Sequence, residues 1–191
     1  MKLFRAIPVP SIVKSDEEWM MRLKANQRDA FDALYEKYKG PIMSYIYSMT
    51  RDSHLSEDLT QETFLKLYRA RDSYEPSAKF STFLWTIAKY ATFDHLAKKK
   101  ELLQSGEEPL EIIDDAPLVD EILIQDVQES RVRNCLERLS PRAKQIVNLR
   151  IFSEASYSEI SEMTSEPEST VKTILHRSKA SLVNCFKRGH E

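Results

Sequence analysis

Apolar residues along the chain recur at helical spacing, and period-two alternation is missing. Phe31, Leu34, Tyr35, Tyr38, Ile42, Tyr45, Ile46 and Met49 follow an i, i+3, i+4, i+7 rhythm, the mark of a helix with one buried face. Gly40-Pro41 interrupts that run and predicts a kink or a split, because proline lacks the amide that the helix needs there. Before it, Ser15 followed by Asp16, Glu17 and Glu18 reads as a helix start, carrying Trp19, Met20 and Leu23. A third helix begins at Ser53 or Ser56 and runs to about Ala70. A loop from Asp72 to Lys79 contains Pro76, and a fourth helix covers Phe80 to Lys100. Later in the chain Ser140-Pro141 is a cap followed by proline at the first helical position. Ile146, Val147, Leu149 and Ile151 then lead to a break at Ser153 to Ser156.

The pattern after Tyr157 is more specific. A short helix from Ser158 to Met163, a polar turn with Pro167 and a longer helix from about Glu168 have the spacing of a helix-turn-helix. At 100° per residue the last helix turns Val171, Ile174, Leu175, Ser178 and Leu182 to one side and Ser169, Lys172, Thr173, His176 and Arg177 to the other. That polar face can donate to phosphates and base edges. A solvated surface helix has the same periodicity. On the fourth helix Phe80, Leu84, Ile87, Ala88 and Ala91 form an inward side, and Trp85, Lys89, Phe93, Leu96 and Lys100 point away from it. Outward aromatics interleaved with lysines suit single-stranded DNA, whose bases stack on rings while cations follow the backbone; packing against the preceding loop is the competing account. Lys98, Lys99 and Lys100 also sit where the helix dipole favours cations.

Composition supports an all-α reading. Only Gly40, Gly106 and Gly189 occur among 191 residues, too few and too scattered for a turn-rich β protein or a phosphate-cradling loop. Net charge is −2, yet it is unevenly spread: residues 1–100 hold 17 Lys/Arg against 13 Asp/Glu, residues 101–130 none against 10, and residues 131–191 hold 11 against 7. Two basic blocks flanking an acidic one predict two small helical domains joined by a mostly extended acidic linker, since nucleic acid responds to local patches. The expected division is an extension over 1–15, a first domain over 16–100, the linker over 101–130 and a second domain over 131–191. The second is a helix-turn-helix, winged-helix-like but without strands. Leu118, Val119, Ile122, Leu123 and Val127 begin its first helix.

Cys135 and Cys185 stand outside any C-x-x-C arrangement and read as buried free thiols. No signal-length apolar stretch opens the chain, and no window approaches a membrane span. A cytoplasmic location is therefore expected. His54, His95, His176 and His190 are scattered, and His176 has no second ligand at i+3 or i+4, so neither metal, cofactor nor catalytic cluster is expected.

The segment SEDLTQETFLKLYRA, Ser56 to Ala70, resembles the core-polymerase-binding helix of extracytoplasmic-function (ECF) RNA polymerase sigma factors. FSTFLWTIAKYATFDHLAKKKE is similar to that family's promoter-melting and −10-reading segment, and CLERLSPRAKQIVNLRIFSEASYSEISEMTSEPESTVKTILHRSKASL to its −35-reading domain. Together they span most of residues 16–185 in the family's order. The resemblance implies an alternative sigma factor that acts by binding and not by catalysis. Asp58, Gln61, Glu62 and Leu65 would meet the β′ clamp helices of core RNA polymerase, with the β flap as a second polymerase contact. Trp85, Lys89, Tyr90, Phe93, Lys98, Lys99 and Lys100 would hold the −10 element of promoter DNA, and Ser169, Thr170, Lys172, Thr173, His176 and Arg177 the −35 element. An anti-sigma factor is an implied partner, and the acidic linker would imitate RNA in the polymerase. Tyr90 stands where the family has asparagine, three lysines replace an arginine-rich end, and Ser169-Thr170-Val171 replaces G-T-V. Lysine supplies charge without arginine's bidentate fork. The alternatives from the residues themselves are a helix-turn-helix regulator that needs no polymerase, a polymerase-binding interaction protein, and, with little support, an all-α enzyme.

Overall fold

The computed structural model describes residues 15–105 and 131–188, and every regular element among them is helical. The order is α1 (Asp16–Lys24), α2 (Arg28–Thr50), α3 (Ser53–Ala70), a 3₁₀ turn at Arg71–Ser73, α4 (Phe80–Ser105), α5 (131–137), α6 (Pro141–Phe152), α7 (Tyr157–Thr164) and α8 (Glu168–Arg188). Local chemistry sets the starts. The Ser15 hydroxyl accepts from Glu18 N, and Glu18 reaches back to Ser15 N, a capping box that satisfies two otherwise orphaned amides. Asp52 caps α3, Ser140 caps α6 ahead of Pro141, and Ser156 with Glu159 repeats the capping box on α7. The amide of Phe80 at the start of α4 donates to the Glu17 carboxylate of α1 at 3.1 Å, so α1 contributes an anion to the positive end of α4.

At Gly40-Pro41 one of two alternatives falls, and the start of the linker is corrected. Gly40-Pro41 does not split α2, which continues through it; Tyr38, Ile42, Tyr45 and Ile46 on either side of the proline are buried, and their packing holds the helix across the missing hydrogen bond. The acidic linker does not begin at Glu101, because α4 runs on to Ser105; Glu-Leu-Leu-Gln are good helix formers. The remaining linker, including Leu118 to Val127, and the extension before Ser15 lie outside the described residues.

With few glycines available, the chain reverses on other residues. Asn26, Arg51, Glu154 and Ser165 have φ between 55° and 61°, the left-handed conformation that often ends helices and that a Cβ disfavours.

The core of the first four helices is aromatic. Tyr45 meets Trp85 edge-on at 5.6 Å, and Tyr38 meets Phe80 likewise, each such pair contributing about 0.5–1.5 kcal/mol beyond area burial. The Tyr38 hydroxyl donates to Asp16 at 2.6 Å; burial and then the Asp16 carboxylate push its ionisation above the usual phenol range. A smaller core from Ile146, Leu149, Ile160, Met163 and Val171 holds the later helices, and the two join into one apolar cluster. They meet where α2 packs on α6 and α4 on α7.

Cys135 and Cys185 are not free thiols. Their Cα atoms are 5.8 Å apart and the sulfurs are bonded, because folding of the last four helices returns the end of α8 to α5. The tie closes a 50-residue separation.

Candidate functional site

Asp58, Gln61, Glu62 and Leu65 are all exposed on α3, while Leu59, Thr63, Phe64 and Leu67 on its other face are buried. Leu65 is 55% exposed, and Tyr68 one turn later extends the apolar part of the stripe. Both border a cavity of about 560 Å³ that Phe31 and Asp32 of α2 also line. Glu62 pairs with Lys66 at 2.9 Å, an exposed i, i+4 bridge of small energetic weight. The arrangement sets the exposed Asp58, Gln61 and Glu62 beside a pocket of mixed lining, in which Leu23, Phe31, Leu65 and Tyr68 are joined by Asn26, Gln27, Arg28 and Asp32. Sequence reasoning missed Tyr68, although its i+3 spacing from Leu65 signalled it.

On α4 the outcome is divided. Tyr90 is 51% exposed, Phe93 and Leu96 are half-buried, and Lys98, Lys99 and Lys100 face solvent. Trp85 and Lys89 do not point outward: they are 1% and 6% exposed. Trp85 is packed against Tyr45 of α2. The Lys89 ammonium crosses Tyr90's ring at 3.7 Å and donates to the Met163 carbonyl of α7 at 2.7 Å. The physical reason differs for the two: α2 covers Trp85 through Tyr45, and α7 covers Lys89. A buried ammonium is tolerable only with such partners, and the carbonyl end of a helix supplies one.

The α7–α8 pair has helix-turn-helix geometry. Ser165 turns the chain in the left-handed conformation, Ser161's hydroxyl donates to the Glu166 carbonyl, and the Thr170 amide donates to Pro167 O at 2.8 Å. Val171 and Ser178 are buried beneath α8; Ser169, Lys172, Thr173, His176 and Arg177 are exposed on it, and Thr170 is half-buried. The expected polar face is therefore presented. Lys172 is not a bare cation: it meets Glu168 at 2.6 Å, and that hydrogen bond raises its pKa. Beside it a cavity of about 540 Å³ between α6 and α8 brings Arg150, Tyr157 and Lys179 next to Lys172 and His176. Lys179 and Arg150 were not singled out from the sequence. Among the described residues no group of His, Cys, Asp and Glu is arranged to hold a metal, and no helix is long and apolar enough to cross a membrane.

Residues 34–101 match the family model of Sigma-70 region 2, and residues 129–182 that of Sigma-70 region 4. The chain is 30% identical over 170 residues to the ECF RNA polymerase sigma factor SigW of Bacillus subtilis, covering 84% of this chain and 91% of SigW. It belongs to the ECF family of RNA polymerase sigma factors. This sigma factor accordingly directs promoter-specific initiation of transcription. Its fold is similar to that of CnrH, solved in complex with the cytosolic domain of CnrY, with a TM-score of 0.70, 16% identity and coverage of 92% of this chain and 99% of that one. It is also similar to the sigma factor RpoE of Bartonella quintana, solved with the anti-sigma factor NepR, with a TM-score of 0.66, 20% identity and coverage of 82% and 96%.

Proposed function

We propose that the sigma factor divides its work among the three helical faces described above, each contact being non-covalent and none catalytic. The α3 stripe of Asp58, Gln61, Glu62 and Leu65 docks on the β′ clamp helices of core polymerase, and the C-terminal helices meet the β flap. Tyr90, Phe93 and Lys98 to Lys100 take the unpaired strand of the −10 element, joined by Lys89 when its contact with α7 is given up, while Trp85 supports them from the core. Ser169, Thr170, Lys172, Thr173, His176 and Arg177 take the −35 element in the major groove. In this reading residues 16–100 and 131–191 are separate working units, a division supported by the placement of the two family matches. The protein acts in the cytoplasm, and an anti-sigma factor controls it, as the solved complex of the Bartonella relative suggests by analogy.

The observation that carries this reading is the exposed α3 stripe with Leu65 and Tyr68 at the edge of a pocket, which a helix-turn-helix regulator working alone has no use for. Run-off transcription with purified core polymerase tests it. Promoter-dependent transcripts that vanish when Asp58 and Glu62 are both changed to lysine support the division. Tight duplex binding by the free chain, with no transcripts at any promoter tried, sinks it.

A further inference from the structure

The Cys135–Cys185 bond sits in basic surroundings that none of the three faces described above uses. Along α5, Arg131 stands four residues before Cys135 and Arg138 three after it, the spacing that puts all three on one side of a helix. Arg188 stands three residues after Cys185, at the end of α8. These three arginines, Asn134, Phe186 and both cysteines line one cavity of about 280 Å³. Among the described residues no acid pairs with any of the three, and Glu137, next to Arg138 in sequence, is already held by Arg51 and Lys144. Cations gathered around a concave site without counter-charge draw small anions into it.

The two sulfurs are not equivalent. Cys135 is 6% exposed, whereas Cys185 is half-buried, so an incoming nucleophile reaches the Cys185 sulfur first. Electrostatics points the same way. A thiolate released at Cys135 has Arg131 and Arg138 on its own side of α5, and neighbouring arginines stabilise thiolates. One released at Cys185 would stand in the last turn of α8, where the carbonyl end of the helix disfavours an anion.

We propose that this cavity is a thiol–disulfide exchange site for small thiols that carry carboxylates. The carboxylates pair with the arginines, whose planar forks match them, and the thiolate attacks Cys185 Sγ. The bond between Cys185 and Cys135 breaks as the new sulfur–sulfur bond to Cys185 forms, and the electron pair leaves on Cys135 Sγ as a thiolate. A second thiol of the same class, attacking the first one's sulfur, releases the Cys185 thiolate and carries away the oxidised pair as its own disulfide. The assignment rests on charge and exposure around the bond, and not on which residues touch polymerase or promoter DNA.

The test reacts the oxidised full-length chain with anionic glutathione, neutral 2-mercaptoethanol and cationic cysteamine. Each rate is divided by the same thiol's rate with hydroxyethyl disulfide, which removes intrinsic reactivity. At low salt the normalised rate for glutathione should exceed that for 2-mercaptoethanol by about tenfold or more, with cysteamine slower still, and added salt should shrink the advantage. Mass spectrometry after early acid quenching and alkylation should place the glutathione adduct on Cys185 and the alkylated thiol on Cys135. Arg131→Gln/Arg138→Gln/Arg188→Gln should bring the three normalised rates together. Equal rates in the native chain overturn the proposal, and so do an adduct on Cys135, two thiols that stay free after mild oxidation, or a preference that persists in the folded triple variant. Should that variant not fold, the salt dependence of the native chain decides in its place, and a preference indifferent to salt counts against the site.

Discussion

Reduction of the Cys135–Cys185 bond should unfold the C-terminal helices at a much lower temperature than the rest of the chain. The bond ties residues 50 apart in sequence, and in the chain-entropy model a closed loop of that size loses about 14 cal/mol/K, or about 4 kcal/mol at 25 °C. A unit the size of residues 131–188 has a total stability of only about 3–9 kcal/mol. Loss of the tie therefore removes a large share of it and predicts a fall of roughly 15–30 °C in the Tm of that unit. The measurement is a calorimetric scan of the full chain with and without a phosphine reductant, thiol titration confirming that the bond is open. Cys135→Ala/Cys185→Ala, scanned without reductant, should reproduce the reduced profile. A shift of less than about 3 °C in both would show that the core around Ile146 and Leu149, with the seam to α2 and α4, holds these helices unaided. The loop-entropy argument would then be wrong for this fold. The question bears on function because a reducing compartment would hold this bond open.

Three further outcomes can be checked. Asp58→Lys/Glu62→Lys should weaken binding to core polymerase, measured by titration with a fluorescently labelled sigma factor, while far-UV circular dichroism stays unchanged, since exposed charge changes cost little stability. Lys172→Ala should cost on the order of 1–3 kcal/mol at the preferred −35 sequence and far less at altered ones, whereas Arg177→Ala should weaken all sequences alike and reduce the salt slope by about one; equal losses in both variants across a promoter panel would refute the split between reading and anchoring. Glu159 is held down to about 2 by its hydrogen bonds with Lys79 and Ser156. Its contribution is therefore complete above the ordinary carboxyl value near 4.5 and is lost as pH falls from there towards 2. Hydrogen exchange at the α4–α7 seam should rise across that window, and a seam already open at pH 5 would contradict the assignment.

Much of this architecture was legible in the sequence because its signals are local. Ser15 with Glu18, Ser140 before Pro141 and Pro167 before Glu168 mark helix starts through groups within a few residues of one another. The α3 stripe and the polar face of α8 were legible for the same reason: a single helix with a packed opposite side fixes which residues are exposed. Trp85 and Lys89 defeated that logic. Periodicity set them apart from Leu84 and Ala88, yet all four are buried: Trp85 packs on Tyr45 of α2 and Lys89 meets a helix 74 residues further on, and a helical wheel carries no information about a second layer. The cysteine pairing failed similarly, since 50 intervening residues leave no spacing rule. At Glu101 the acidic run concealed helix formers, and charge was read as a boundary that backbone propensity ignored. The pairing of Lys172 with Glu168 was available at i, i+4 spacing and was overlooked.

The serine in the turn between α7 and α8 has a consequence for how this protein can change. Ser165 holds a left-handed backbone, which costs a residue with a Cβ about 1–2 kcal/mol, and Arg51 and Glu154 bear the same strain. Glycine at these positions would relieve it, less about 0.4–1 kcal/mol for the greater freedom of the unfolded chain. The native chain thus stands below the stability its own fold permits, with unused headroom in three turns. Lineages carrying glycine at Ser165 could absorb destabilising substitutions on the exposed face of α8, and so acquire new promoter preferences, that the present sequence would not survive.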